Sequence, residues 1–151
     1  MKQLSRNGEP PWSSSTAVSE FFPELCGHRA GSDPALITAL ERRVAADADL
    51  VRCVFDRVRG AGDPRPDMID PQWAWFRYVQ VSLLRSLNFT HRFGDKGTPA
   101  TKPAFNDYLD IEYCVAAVLA RGFTTNDESL GRMFRLLCPT GELRRTPRTR
   151  S

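Results

Sequence analysis

The sequence lacks any apolar run that approaches the roughly 20 residues needed by a membrane-spanning helix. Its first fifteen residues, MKQLSRNGEPPWSSS, also lack the apolar segment of a secretory signal. These two absences argue against a membrane protein and against a secreted one. We therefore expect a cytoplasmic protein without membrane contact.

Paired cysteine motifs are also missing. The four cysteines are Cys26, Cys53, Cys114 and Cys138, and no two of them form a C-x-x-C pair. Their wide spacing matches no common zinc signature, and one cysteine close to His28 is a weak indication of a metal site. In the cytoplasm we expect all four thiols to be reduced.

Lysine is scarce, so arginine supplies nearly all of the positive charge in a chain of formal net charge +3. The C-terminal run GELRRTPRTRS carries Arg144, Arg145, Arg148 and Arg150. The planar guanidinium group suits phosphate recognition, so these four residues are candidates for binding a nucleic-acid backbone. A solvated basic tail is the alternative explanation.

The length of 151 residues and the apolar content of 41% suit one globular domain with a buried core. Residues 1–30 are rich in Pro, Ser and Gly, which predicts a loosely structured arm that docks through its few aromatic residues. We expect a single domain over residues 31–143, followed by a basic tail at 144–151.

The first half of that domain has helical patterns. Asp33-Pro34 is a strong helix start, and one or two helices are expected from there to about Arg59. Asp70-Pro71 repeats the start signal, and a helix over about 73–89 follows. Its predicted apolar face contains Trp73, Phe76, Leu83, Leu84 and Leu87, whereas Arg77 and Arg85 are expected on solvated faces.

The second half mixes helices with short strands. The pattern predicts a helix from Asp107 to Arg121 that Gly122 terminates, a strand at 123–125 and a helix at 128–137. One more short strand is expected after the turn at 139–141. This alternation indicates a strand-poor α/β fold. An all-α structure for the first hundred residues is an equally natural interpretation.

Acidic residues stand at both ends of this apolar segment. Asp107 and Asp110 are 60° apart on the predicted helix and share the face that points to the core. Asp127 follows the predicted strand. Helix capping explains both positions without any function, since acids favour a helix N-terminus and Thr125 to Glu128 fits a capping box. A metal site where the two segments converge is the other interpretation.

The run N-D-x-x-D-I-E-Y at 106–113, the apolar stretch and the T-N-D at 125–127 resemble the C-terminal half of PIN-like domain nucleases. The resemblance covers about 106–143. It implies a PIN-like α/β fold, with an incomplete parallel sheet flanked by helices and a mainly helical N-terminal half.

The resemblance also implies a chemistry and a set of site residues. Asp107, Asp110 and Asp127 would be catalytic, with Asp110 and Asp127 holding Mg²⁺ or Mn²⁺. Thr125 and Asn126 would shape the loop that carries Asp127. Hard cations of this kind prefer oxygen ligands and activate water for attack on a phosphodiester. The implied activity is that of a toxin-like endoribonuclease with RNA as its substrate.

One family feature is missing, because no apolar strand ending in an aspartate precedes the helices. The domain is then N-terminally shortened, or completed or controlled by a second polypeptide, or no longer catalytic. The leading hypothesis is accordingly a metal-dependent phosphodiesterase domain that is incomplete or needs a partner. A non-catalytic interaction module using the aromatic helix at 73–89 is the alternative, and an arginine-rich nucleic-acid-binding protein without chemistry is a third.

Overall fold

The computed structural model describes residues 20–25, 33–93 and 103–146. This part of the chain is mostly helical, with a small parallel sheet of two strands, and is compatible with the α/β class. Two short 3-10 helices lie at Pro23–Leu25 and Pro66–Met68. The main elements in chain order are α1 (Pro34–Ala46), α2 (Ala48–Val58), α3 (Ala74–Phe93), α4 (Pro103–Ala120), β1 (Gly122–Thr124), α5 (Glu128–Leu137) and β2 (Glu142–Arg144).

Aspartate caps divide the first helical region in two. Asp33 Oδ1 accepts hydrogen bonds from the backbone N–H groups of Ala35 and Leu36 at 2.9 and 3.1 Å, which confirms the predicted helix start. Asp47 ends α1 and caps α2 through a 2.9 Å bond from Leu50 N. The stretch to Arg59 is therefore two helices.

Helix α3 begins within one residue of its predicted start at 73, but Asp70-Pro71 is not its start signal. Asp70 Oδ1 accepts from Gln72 N at 2.7 Å, so Asp70-Pro71 forms a turn and α3 begins at Ala74. Trp73 was expected on the buried face, but 43% of it is exposed because it precedes the helix. The other four residues predicted for that face are buried.

Helix α3 lies at the centre of the molecule and packs against α1, α2 and α4. Its buried side chains form one continuous core with residues from both halves of the chain. Phe22, from the predicted N-terminal arm, is fully buried in this core. The arm segment is also tied to α1 by an ion pair between Glu24 and Arg43 at 3.1 Å.

A sharp reversal joins α4 to β1. Arg121 adopts φ 57°, in the left-handed region, and ends the helix. Gly122 was expected to supply this stop, but it already belongs to the strand. A non-glycine residue in this region carries a modest strain. Arg121 is held there because its C=O accepts from Glu142 N at 3.0 Å and its guanidinium donates to Thr140 Oγ1 at 2.6 Å.

The segment from β1 to β2 is a parallel βαβ unit. Gly122 pairs with Glu142, Phe123 with Leu143, and Thr124 with Arg144. On the inner face, the Phe123 ring packs against Phe134 of α5, with 5.6 Å between the ring centroids. The two predicted strands and the helix at 128–137 are therefore present, with small shifts in their ends.

Candidate acidic site

The two predicted metal ligands lie on either side of the turn at Arg121. Strand β1 follows this turn directly and contacts α4. Asp110 lies about 16 Å before Arg121 at the helical rise per residue. Asp127 follows β1 after a bend at Asn126. Asp110 and Asp127 therefore flank the reversal at Arg121, one on α4 and the other at the N-terminus of α5.

Asp127 is the N-cap of α5. Its Oδ1 accepts a hydrogen bond from Leu130 N at 2.9 Å, while its own N–H donates to Thr125 Oγ1 at 3.1 Å. The predicted capping box was therefore misplaced by two residues, because Thr125 shapes the turn and Asp127 does the capping. Asn126 is exposed beside them. The second carboxylate oxygen of Asp127 makes no hydrogen bond to the described part of the chain.

Asp110 has a cationic neighbour. Its Oδ2 lies 3.6 Å from Arg85 Nη2, and the side chains of Asp110 and Arg85 are only 31% and 21% exposed. The prediction that Arg85 is a solvated charge was therefore wrong. A carboxylate withdrawn from water is stabilised by a nearby opposite charge, and α3 supplies it here.

Arg77 was also expected in solvent, and it too is partly buried. Its Nη1 donates to Gln80 Oε1 at 2.7 Å, and desolvation lowers the pKa of the guanidinium group. Gln80 in turn donates to the carbonyl oxygens of Val44 and Ala45 at the end of α1. Through Gln80, Arg77 thus supports the packing of α1 against α3.

A second ion pair joins a deeply buried carboxylate of α1 to a partly exposed arginine of α5. Glu41 of α1 is only 5% exposed, and Arg132 of α5 binds both of its oxygens at 3.0 and 2.9 Å. Arg132 also donates to Asn88 Oδ1, and Asn88 is one helical turn after Arg85 on α3. We call Glu41, Arg85, Asn88, Asp110 and Arg132 the acid–arginine cluster.

Sequence reasoning missed Glu41 and Arg132, although α1 carried a signal. Glu41 lies in the stripe of α1 formed by Ile37, Leu40 and Val44, all of which are buried. A charged residue in an apolar stripe is rarely buried without a partner. The sequence therefore indicated that Glu41 needs a cation, but not which arginine provides it.

The donor chemistry allows a metal ion, but the described side chains do not form a complete site. No group of three or more His, Cys, Asp or Glu residues suited to a metal occurs among them. The side chain of Asp107 lies outside the described part. Asp110 and Asp127 offer the oxygen atoms that Mg²⁺ and Mn²⁺ prefer, but Arg85 lies beside Asp110 and would have to move from a shared cation.

Cys114 lies one turn after Asp110 on α4 and is fully buried. Burial raises the pKa of its thiol to about 12, and the negative charge of Asp110 adds to the increase. The thiol is therefore neutral at physiological pH. Cys53, Cys114 and Cys138 are all free thiols, as expected; Cys26 lies outside the described residues.

The basic tail begins at the end of β2. Arg144 Nη2 lies 2.6 Å from Glu142 Oε1, and both side chains are well exposed. Arg145 is exposed as well. Arg148 and Arg150 lie outside the described residues. Because Thr124 pairs with Arg144, the first two tail arginines lie at the strand ends from which the chain continues to Asp127.

Two tryptophans are exposed at the start of α3. Trp73 and Trp75 are 43% and 42% exposed, and Met68 nearby in the sequence is also exposed. The ring of Trp75 contacts the edge of Tyr78, with 6.2 Å between centroids. Both tryptophan rings are therefore large apolar groups that are partly open to solvent.

No family model, no curated protein and no solved structure matches this chain. Within the described ranges, no helix has both the length and the apolar character that crossing a bilayer requires.

Proposed function

We propose that the chain is a PIN-like, nuclease-related domain whose centre is a metal-dependent phosphodiesterase acting on RNA. Asp110 and Asp127 would hold Mg²⁺ or Mn²⁺, and Asp107 would lie beside Asp110. One observation supports this proposal: Asp110 on α4 and Asp127 at the start of α5 flank the reversal at Arg121 that leads into the βαβ unit.

We also propose that a second polypeptide completes the centre. Arg121 and Thr125 use their backbone groups toward β2, so the backbone groups of Gly122 and Thr124 point to the opposite edge. Both residues are exposed, and no other strand of the described chain pairs with them. An added strand would satisfy these groups, and an acid at its end would supply a further ligand.

Asp127 and Asp110 would contribute to a metal site in different ways. Asp127 keeps Oδ1 on the N-terminus of α5 and offers its second oxygen. Asp110 offers a carboxylate once Arg85 moves aside. A divalent cation held there would neutralise charge on the phosphate and activate a water molecule.

The test is thermal melting with and without Mn²⁺, combined with RNA cleavage. At a Mn²⁺ concentration ten times Kd, the folded state should gain about 1.4 kcal/mol, a melting shift of roughly 3–6 °C. Asp127→Asn is the informative variant because asparagine caps helices about as well as aspartate but lacks the charge. It should keep most of the stability and lose most of the metal response, as should Asp110→Asn.

The control is Asp49→Asn, which removes an exposed acid paired with Arg52 on α2. It should leave the metal response unchanged. If Mn²⁺ shifts the melting of both Asn variants as much as that of the parent chain, Asp110 and Asp127 are not metal ligands. Cleavage should be slow in the isolated chain and increase when the second polypeptide is supplied.

A non-catalytic interaction module is the second candidate, favoured by a different observation. Asp110 and Asp127 both have structural roles, and Trp73 and Trp75 are exposed apolar side chains that a partner could cover. A chain that folds normally, shows no metal response and cleaves no RNA would select this function.

A further inference from the structure

Helix α4 carries apolar side chains on the side that faces away from the core as well as on the buried side. No charged residue occurs between Tyr113 and Ala120. Buried and exposed positions alternate along this stretch, and the exposed fraction is 62% for Tyr113 and 41% for Leu119. A helix that is apolar on nearly all sides is normally covered on more than one of them. In the part of the chain that the structure describes, these two side chains are instead open to solvent.

The exposed positions of this stretch lie on one stripe of the helix. We call them the outer face of α4: Glu112, Tyr113, Ala116, Leu119 and Ala120. At 100° per residue they fall within a sector of about 120°, over a length of about 12 Å. The large Tyr113 ring lies toward one end of this face, the small Ala116 lies in the middle, and the small Ala120 lies at the other end. The face is therefore raised at one end and shallow from its middle onward.

One charge stands at each end of the outer face. Glu112 is exposed and forms no ion pair with any residue that the structure describes. Arg121 ends the helix, is exposed, and donates through Nη2 to Thr140 Oγ1. Its other guanidinium nitrogens make no ion pair within the described ranges. An acid and a base thus stand about 13 Å apart along the helix axis, with only apolar side chains between them on this face.

A second copy of the chain has the surface that complements this pattern. In an interface with two-fold symmetry, each surface meets itself in reverse order. Antiparallel packing about an axis near Ala116 therefore places each Glu112 beside Arg121 of the second copy. It also places each Tyr113 ring over Ala120, and the small side chain at the axis lets the two helices approach closely. Parallel packing would bring like charges together, so charge complementarity favours the antiparallel arrangement.

We infer that two copies of the chain associate through the outer face of α4 as an antiparallel helix pair. This inference is independent of the proposed function, because it uses neither Asp110 nor Asp127. A standard interface buries about 800 Å² on each partner, and a stripe about 12 Å long offers less than that. We therefore expect a weak, reversible dimer with a Kd of about 10–100 µM.

Sedimentation equilibrium of the full chain, from about 5 µM to about 1 mM, measures this association. The parent chain should convert from monomer to dimer over that range. Ala116→Arg places two like charges at the axis and should raise Kd more than about 30-fold. The matched control is Ala39→Arg, which introduces the same side chain at an exposed position of α1. It should change Kd less than about twofold.

Two further measurements test the antiparallel orientation. Glu112→Arg would face Arg121 of the second copy, so it should raise Kd about tenfold at low salt and less at about 0.5 M salt. Cysteine cross-linking uses chains in which Cys26 and Cys53 are replaced by serine. An equal mixture of Tyr113→Cys and Ala120→Cys chains should cross-link more than either variant alone, because only the antiparallel pair brings these two positions together.

Three results would overturn the inference. The first is a parent chain that stays monomeric up to about 1 mM. The second is a dimer that Ala116→Arg leaves intact, because the association would then use another surface. The third is a monomer in which Ala116→Arg lowers Tm more than Ala39→Arg does, because other residues of the same chain would then cover the outer face of α4.

Discussion

Replacing Arg132 by methionine should show how much the acid–arginine cluster contributes to the free energy of unfolding. Arg132 is the only partner that the described chain gives the carboxylate of Glu41, which it binds through both oxygens. Methionine keeps the length and apolar stem of the side chain but removes the charge. Glu41, 5% exposed on α1, would then be a buried charge without compensation.

Two free-energy costs bound the loss of stability that Arg132→Met should cause. Removing one partner of a buried pair typically costs about 3–5 kcal/mol, and the 54% exposure of the Arg132 side chain places this pair at the lower end of that range. A glutamate can escape that penalty by taking up a proton, which costs about 3.7 kcal/mol at pH 7. We therefore expect the free energy of unfolding to fall by about 3–4 kcal/mol at pH 7, with a drop in Tm of roughly 10 °C.

The pH dependence gives the sharper test. Protonation becomes cheaper by about 1.4 kcal/mol per pH unit, so the penalty of Arg132→Met should be about 2 kcal/mol smaller at pH 5.5 than at pH 7. Urea unfolding at both pH values measures this difference. Arg135→Met, an exposed change on the same helix, should cost less than about 0.5 kcal/mol.

The cluster would lose its structural role if Arg132→Met cost less than about 1 kcal/mol at pH 7 or if its cost did not depend on pH. Adding Glu41→Gln to the Arg132→Met chain separates charge from packing. It should recover much of the loss at pH 7 and little at pH 5.5, because the penalty being removed is that of the charge.

Three further predictions concern single sites. If Asp110 binds metal, Arg85→Met should raise Mn²⁺ affinity about tenfold, or 1.4 kcal/mol, in melting titrations, and an unchanged affinity would argue against this ligand. The pKa of Cys114 is raised to about 12 from an unfolded value near 8.5. Its stabilising contribution is complete below pH 8.5 and is lost toward pH 12, so melting temperatures should fall across that range, and less steeply in Cys114→Ala. Gly141→Ala would place a Cβ 2.6 Å from Phe134 Cζ and should cost about 1–3 kcal/mol in urea unfolding.

Local chemistry made the start of α1 and the βαβ order predictable, whereas α4 begins at Pro103, four residues before the predicted Asp107. Asp33-Pro34 combines a capping side chain with a proline suited to the first turn, and both act within four residues. The reversal after α4 was harder to predict, because glycine is the usual residue in the left-handed region. Arg121 takes that conformation because Thr140 and Glu142 hold it, and neither contact is visible in the local pattern.

The arginines at the centre of the molecule were the main failure of prediction. Helical periodicity placed Arg85 off the apolar face, and solvent is the usual environment for such a residue. Helix α4 packs against α3, however, and brings Asp110 to that face. A side chain outside one apolar stripe is thus not free when a second helix covers it, and this depends on packing that a single sequence does not specify.

At Asp127, helix capping and metal binding do not exclude each other. A cap needs one carboxylate oxygen, and Leu130 N occupies only Oδ1. The dipole of α5 favours a negative charge at this position whether or not a cation is present. Sequence therefore could not separate the two roles, because both select aspartate at the same place. Asparagine separates them physically, since it keeps the hydrogen bond of the cap and gives up the charge that a cation would need.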